Sequence, residues 1–468
     1  MRIGPRRVGT AGLGNTPRRR FLKRSIAAGA GFAAALRVPA PAVRGGALGA
    51  NERIRLGCIG VGNRGSELIE RLLAFEDAEI VALADVYRPY LERDRSKVDP
   101  RLVEELGGRI PQMREPLPSV DGRYADFRRL LDRRDVDAVV IATPDHWHAI
   151  QTIAACEAGK DVYVEKPLSA TIAEGRKMVE AAKRTGRIVE VGLQRRSSSL
   201  FASLAAEVAG GLIGRVTVAR AYRIDDMFPK GIGKVEDAEP PPGLDWDMWL
   251  GPRAWRPYRR NIAPYKFRWW KEYSSQVANW GVHYFDAIRW LLAEEAPSSV
   301  SAHGGRFAID DDRDIPDTLE ATFEMASGRL IAFGQYEASG GAALASGEIE
   351  LRGTEANVYA SESAYTLVPA SAGQFQAPRP RGEAKTVRGD GQDTTAAHLR
   401  DFLDCVRSRG RPRCDLETGH RSTTFALLAN IALETRARIE WDPAAEKIRS
   451  PLEANRLLEY EYRKPWSL

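Results

Sequence analysis

Arg53-Ile54-Arg55-Leu56-Gly57-Cys58-Ile59 runs without a break into Gly60-Val61-Gly62-Asn63-Arg64-Gly65, and a stretch carrying Leu68, Ile69, Leu72 and Leu73 follows at once. The order predicts an apolar strand, a glycine turn and a helix with one apolar face. The G-x-G-x-x-G spacing has a mechanism behind it. Gly60 makes the tight turn, Gly62 lets backbone approach a pyrophosphate, and Gly65 allows close packing of helix on strand, with the helix N-terminus and the intervening Asn63 and Arg64 facing the phosphates. A second strand, Ile80 to Ala84, ends at Asp85, twenty residues beyond Gly65. From there a carboxylate accepts hydrogen bonds from the adenosine ribose and repels the extra phosphate of NADP. Arg88 softens that preference, so NAD is expected ahead of NADP.

Outward from this unit, strands are predicted at Asp137 to Thr143, Asp161 to Glu165 and Ile188 to Leu193, each separated by a helical stretch. Such alternation is that of a doubly wound parallel α/β sheet, here a Rossmann domain over residues 53–195. The Pro- and Gly-rich segment from Asp99 to Val120 interrupts the rhythm and reads as a surface insertion. In open parallel sheets ligands bind beyond the carboxyl ends of the strands. That rule places Thr143-Pro144-Asp145-His146-Trp147-His148 and Glu165-Lys166-Pro167 in the crevice of the glycine turn.

Bulk properties exclude several classes. The 468 residues carry 28% charged and 43% hydrophobic side chains, as in an ordinary folded chain of two or three domains. No apolar run is long enough to span a bilayer. The net charge of +6 comes from one end: residues 1–42 hold nine Lys and Arg and no Asp or Glu, leaving 60 positive against 63 negative in the rest. A basic footprint for nucleic acid is therefore not expected. Arg18-Arg19-Arg20-Phe21-Leu22-Lys23, an Ala/Gly-rich stretch from Ser25 to Leu36 and Ala40-Pro41-Ala42 read as a twin-arginine signal cleaved after Ala42. The chain would then pass through the twin-arginine export machinery, already folded, to a periplasmic or other extracytoplasmic location, with residues 43–52 as a linker. Cys58 and Cys156 sit in apolar stretches, Cys405 and Cys414 flank a turn and could pair, and no Cys/His spacing suggests a metal site.

Beyond residue 195 the patterning changes. Alternating runs at Val216 to Ile224, Thr318 to Phe323, Leu330 to Phe333 and Ile349 to Leu351, with turns at Ser327-Gly328 and Arg352-Gly353, predict antiparallel strands. Helices are expected around Val282 to Leu292, Ala396 to Val406 and Thr418 to Thr435. Together they describe an α+β domain with a mainly antiparallel open sheet over residues 196–445, followed by a tail over 446–468. Asp310-Asp311-Asp312-Arg313-Asp314 lacks the spaced ligands of a calcium loop and reads as a solvated turn.

The glycine turn, Thr143-Pro144, Glu165-Lys166-Pro167 and a downstream Gly281-Val282-His283 fall in an order that resembles the glucose-fructose oxidoreductase and inositol dehydrogenase family, Gfo/Idh/MocA. The resemblance covers nearly all of the chain after the signal. It implies that the second domain covers the nicotinamide and forms a sugar pocket, that Lys166 is the active-site lysine relaying a hydroxyl proton, and that His283 is the catalytic histidine. It also implies a homodimer or homotetramer paired through the open sheet face. Pro167 would fix the backbone beside Lys166, with a cis bond open to it as to any X-Pro pair. A histidine with an unperturbed pKa of about 6.5 can act as general base, and Asn279, four residues earlier, can share its helical face. The family usually has Asp where this chain has Asn279; an amide can orient a neighbour or bind a sugar hydroxyl but cannot take a proton.

Other candidates surround these. Gln194 and Arg195 follow a parallel strand at its ligand end, and Tyr222 and Arg223 lie in the first strand of the second domain. His146 and His148 stand either near the nicotinamide or in helix-start hydrogen bonds. The aromatic and arginine-rich stretch from Trp246 to Trp270 is a substrate lid, or a wrapping or oligomer-contact loop. Three functions are consistent with these residues. They are hydride transfer between NAD and a hydroxyl of a sugar, glycoside or cyclitol; glycoside cleavage by transient oxidation with a tightly retained NAD; and a non-catalytic, NAD-bound sugar-binding protein.

Overall fold

The computed structural model describes residues 52–371, 373, 375 and 382–468. The leader, its cleavage site and the linker up to residue 51 lie outside the described residues. In the first domain, β1 (Ile54–Ile59), β2 (Ala78–Ala84), β3 (Gly122–Tyr124), β4 (Ala138–Ile141), β5 (Asp161–Val164) and β6 (Val189–Val191) form one sheet in the order β3-β2-β1-β4-β5-β6. Every pairing is parallel. The order reverses between β1 and β4, which leaves a crevice at their carboxyl ends. Register puts Ile59 beside Ala84 and Ile141, and Ile141 beside Val164. Consequently Gly60, Asp85, Ala142 and Glu165 emerge side by side along one edge.

The second domain holds ten strands: β7 (Val216–Ile224), β8 (Pro297–Gly305), β9 (Thr318–Met325), β10 (Leu330–Tyr336), β11 (Ile349–Gly353), β12 (Ala356–Ala360), β13 (Ala364–Pro369), β14 (Lys385–Arg388), β15 (Ile439–Asp442) and β16 (Lys447–Ser450). Their order is β14-β13-β12-β11-β7-β10-β9-β8-β15-β16. Only β7 and β10 pair in parallel. Strand alternation sends Ala219, Ala221, Ile331, Phe333, Leu319 and Phe323 to one side, where Phe285 of the helix Val282–Leu292 and Phe425 of the helix Leu416–Thr435 cover them. Both sheets are thus those the sequence patterning predicts, although β16 carries the second beyond residue 445. No helix among the described residues is long and apolar enough to cross a membrane.

Four expectations are corrected. The Pro- and Gly-rich segment after Asp99 is not a mere surface insertion, because Leu102, Ile110 and Met113 are buried in the core of the first domain. The acidic run is a solvated turn only in part, with Asp310 and Asp314 exposed. Asp311 is buried and holds the buried Arg313 guanidinium at 2.9 Å, while Asp312 accepts from Val235 N and Asp314 from Lys271 N. Cys405 and Cys414 are free, buried thiols, and burial pushes the Cys405 thiol up to about 12. Finally, the helix Thr394–Ser408, which follows the second-domain strands in the chain, returns to the first domain. There Leu399, Phe402 and Leu403 pack with Leu56 of β1 and Tyr163 of β5.

Because Phe402 belongs to the nucleotide-domain core, Phe402→Ala is expected to cost about 3–5 kcal/mol in chemical denaturation. Hydrogen exchange should show the lost protection in β1 and β5 rather than in β9.

Candidate active site

The glycine turn is built by contacts that only glycine permits. Gly60 has φ +81°, and a Cβ there would lie 2.8 Å from the Ala142 carbonyl carbon and the Thr143 nitrogen. A Cβ on Gly65 would run into the Gly60 carbonyl oxygen. The helix Asn63–Leu72 starts at Gly62 without a side-chain cap, so its first N–H groups remain available to an anion. Asp85 locks the turn from the side: its two oxygens accept from Val61 N and Tyr87 N, each at 2.8 Å. Burial raises its pKa to about 6 against the pull of those N–H groups. Each carboxylate oxygen keeps a further lone pair for a ligand hydroxyl.

These elements border a cleft of about 260 Å³ that runs from Asp85 past Gly62, Thr143 and Pro144 to Lys166, Asn279 and Trp280. Its other wall comes from the aromatic stretch, through Leu244, Met248, Trp249, Tyr265, Phe267 and Arg268. Backbone bonds from Arg88 N to Gly243 O (2.8 Å) and from Asp245 N to Val86 O (2.9 Å) tie that stretch to the end of β2. The Arg88 backbone serves the cleft through that first bond, and its exposed side chain lies outside the cleft lining.

At the far end, Glu165 is buried and its Oε1 accepts from Arg64 Nε at 2.7 Å. Burial works against its ionisation, yet Arg64 and Lys166 hold the carboxyl below its usual range. Asn63 and Arg64 are tied to Glu67, at 3.2 and 3.0 Å. The Lys166-Pro167 bond is cis. Lys166 Nζ donates to the Asn279 backbone oxygen (3.0 Å) and to Asn279 Oδ1 (2.9 Å). Burial lowers its pKa to about 8, opposed by Glu165. Asn279 lies in a π-helical turn, Val277–Gly281, that runs into the helix Val282–Leu292. The expected α-helical spacing of Asn279 and His283 is therefore replaced by a wider turn, of the kind that often marks functional sites.

His283 is buried on that helix with Nδ1 unpartnered. Burial, then Lys166, Arg195, Arg64 and Arg223, push its pKa well below the ordinary value, so it is a neutral imidazole. The surrounding cations oppose its protonation, which a reading from the unperturbed pKa misses. Gln194 has its Oε1 buried and unpartnered. Arg195 is buried and committed to Glu348 (2.7 Å) and Glu362 (3.1 Å), with its guanidinium over Tyr284. Arg223 pairs with Asp225 and lies 3.6 Å from the centroid of Trp280, beside the cleft. Tyr222 is one residue out of phase. Strand alternation carries it to the opposite side of the sheet, over Gly334 and beside Tyr336, which removes it from this site.

The two histidines after Thr143-Pro144 are structural. His146 is fully buried, with Nε2 2.9 Å from Trp249 O and its ring among Trp249 and Tyr273; burial lowers its pKa to about 3. It fastens the aromatic wall and does not line the cleft. His148 is stapled between the Pro167 and Thr143 carbonyl oxygens, each at 2.8 Å, and so ties together the two loops that carry the site. Sequence reasoning placed Asp145 in the crevice without a role and did not find Ser274, Gln276, Trp280 or Glu337. Asp145 is buried against the Ser274 hydroxyl, and Gln276 bridges Asn279 and Glu337. Their partners are 129 and 61 residues apart in the first and last of these bonds, beyond any local motif.

Sequence models of one oxidoreductase family match most of the chain: its NAD-binding Rossmann fold at residues 54–193, and its C-terminal alpha/beta domain at 205–324 and 386–468. The chain belongs to the Gfo/Idh/MocA family. Its first domain is accordingly an NAD-binding Rossmann domain, in agreement with the uncapped helix start and Asp85. Glycosyl hydrolase family 109 protein 1 of Shewanella sp. (strain ANA-3) is 34% identical over 185 residues, 36% of this chain and 38% of that one. An alpha-N-acetylgalactosaminidase of Shewanella oneidensis is 36% identical over 135 residues, 29% of this chain and 27% of that one. The matched stretches thus span well under half of those relatives. Among solved structures, levoglucosan dehydrogenase in complex with NADH shares 18% identity with a TM-score of 0.60, covering 82% of this chain and 98% of that one. The WlbA dehydrogenase of Bordetella pertussis, in complex with NADH and UDP-GlcNAcA, shares 18% with a TM-score of 0.59, covering 83% and 99%. At that identity these two share the fold.

Removing the staple with His148→Ala should lower Tm and weaken NADH binding together, at a stability cost of about 1–3 kcal/mol for the buried carbonyl groups left unpaired. Arg88→Ala should leave both unchanged.

Proposed function

We propose that this family member is an NAD-dependent oxidoreductase acting on a hydroxyl-bearing carbon of a sugar, glycoside or cyclitol, with Lys166 as the group that handles the hydroxyl proton. The observation that carries the reading is Lys166 itself: a buried amine with a pKa lowered to about 8, held by Asn279 at the end of the cleft opposite Asp85. Gly60, Gly62, Gly65 and the uncapped helix start hold the pyrophosphate, and Asp85 holds the adenosine ribose. Thr143, Pro144 and Glu165 border the remainder. Bound there, the nicotinamide supplies the two-electron acceptor or donor for a carbon-bound hydrogen. Lys166, as free amine, accepts the proton of the substrate hydroxyl, and as ammonium returns it in the reverse direction. His283, kept neutral, offers a hydrogen bond to a substrate hydroxyl rather than a strong base. Trp280, with the Arg223 guanidinium against its ring, borders the end of the cleft where a sugar ring would lie, an aromatic face against its C–H groups.

A second reading, cleavage of a glycoside through transient oxidation by a retained NAD, is favoured by one observation: the curated relatives at 34% and 36% identity are glycosyl hydrolases. The basic leader supports twin-arginine export to the periplasm with the cofactor already loaded. The uncovered side of the second sheet, with Arg220, Tyr222 and Tyr336, supports pairing of two or four copies of the chain.

A panel of sugars and p-nitrophenyl glycosides separates the two readings: net oxidation raises NADH absorbance, whereas cleavage releases nitrophenol with no net NADH. In either case Lys166→Met should lower kcat by at least about a hundredfold and leave NADH affinity unchanged. Unaltered turnover in that variant would refute the assignment. Because Asp85 gains a proton as pH falls through about 6 and then loses an acceptor, NADH affinity should weaken below that pH, and Asp85→Asn should abolish the dependence.

A further inference from the structure

Asn279 stands where the family usually carries a carboxylate, and the structure shows what the amide needs in order to serve. An amide has two unlike ends, and only its oxygen can accept from Lys166. Asn279 Nδ2 donates to Gln276 Oε1 at 3.0 Å, and Gln276 Nε2 donates to Glu337 Oε1 at 2.7 Å. Gln276, Asn279 and Glu337 are all buried. The direction of this chain is set at Glu337. Its carboxylate accepts from the indole N–H of Trp269 (3.1 and 3.0 Å) and from the fully buried Arg313, both of which can only donate. Burial raises the Glu337 carboxyl, opposed first by Arg313. Facing an acceptor, Gln276 must present its NH₂ to Glu337 and therefore its oxygen to Asn279. That in turn turns the Asn279 NH₂ inward and its oxygen to Lys166.

We propose that Gln276 and Glu337 are positioning residues that fix the Asn279 amide with its oxygen toward Lys166, so that Asn279 acts as a neutral acceptor where a carboxylate would form an ion pair. The other charged groups facing Lys166 are Glu165 and Asp145 on one side, Arg64 and Arg268 on the other, with the neutral His283 nearby. A carboxylate at position 279 would add a negative charge to this set and hold Lys166 as ammonium. The amide holds the same nitrogen in place without that charge, and the Lys166 pKa stays below the ordinary lysine value. Asn279 is on this account a working part of the site and not a decayed one.

The inference builds on Lys166 as the proton-handling group, but its test reads Lys166 directly and needs no substrate, so it stands or fails apart from the proposed reaction. Trace acetic anhydride labels the full chain over a range of pH, and mass spectrometry of the Lys166 peptide gives the pH at which its amine becomes reactive. The wild-type midpoint should lie near 8. Asn279→Asp should raise it by about 1–3 pH units. Gln276→Met, of similar length, frees the amide to rotate and should lower the midpoint by about half a unit or more. In an Asn279→Asp background the same Gln276→Met change should not lower the midpoint, because a carboxylate has two equivalent oxygens that need no orientation and nothing to donate to the Gln276 oxygen. Glu337→Gln, in which Arg313 keeps Asp311, is the second variant should Gln276→Met fold poorly, and it should act in the same direction as Gln276→Met in the wild-type background. The proposal is overturned if the position-276 change shifts the midpoint equally in both backgrounds, as a packing effect would, or in neither.

Discussion

The contact on which the site depends is the one between Lys166 Nζ and the two oxygens of Asn279. It joins the loop after β5 of the nucleotide domain to the π-helical turn of the second domain, 113 residues away in the chain. Each partner is prepared by its own domain. On one side, Glu165 and Arg64 neutralise each other beneath Lys166, and His148 fixes the loop that carries it. On the other, the π-turn directs both the carbonyl and the side-chain oxygen of one residue at the same ammonium. A buried amine is costly unless it has acceptors, and both acceptors of Lys166 Nζ come from the other domain.

The aromatic stretch from Trp246 to Trp270 serves the same assembly from outside. It is fastened to the end of β2 by backbone hydrogen bonds and to the helix after Pro144 by the His146 ring, and its apolar side chains close the cleft that the parallel sheet leaves open. A dinucleotide bound against the glycine turn would thus be walled by residues from both domains. Shared walls of this kind exclude water from the reacting end of a cleft, which strengthens the electrostatic influence of each fixed charge there. Burial in this assembly is the first cause that lowers the Lys166 and His283 pKa values.

How far the sequence could be read followed the range of the interaction. Gly60, Gly62, Gly65 and Asp85 were legible because strand, turn and helix are consecutive, and the backbone geometry of that unit leaves no substitute for glycine. The misread residues failed for identifiable reasons. Tyr222 and Arg223 look alike in a motif, yet a strand sends them to opposite faces. Arg195 has the composition of a substrate ligand, but Glu348 and Glu362, from bends beside the second-sheet strands more than 150 residues on, pair with it. The Asp310-to-Asp314 run reads as solvated because its density of charge is visible, while Arg313 within it is buried with Asp311.

By itself the sequence determined the two-sheet architecture and the dinucleotide turn, since each is encoded in short-range periodicity or a contiguous motif, and it offered Lys166 as the chemical candidate through the family resemblance. It could not determine which candidates converge. His283 as a neutral imidazole, His148 as a staple and the helix Thr394–Ser408 as part of the nucleotide domain all depend on through-space neighbours. The same holds for Asn279, whose meaning lies in Gln276 and Glu337: the direction of an amide is fixed only by the donors and acceptors that the folded chain brings around it.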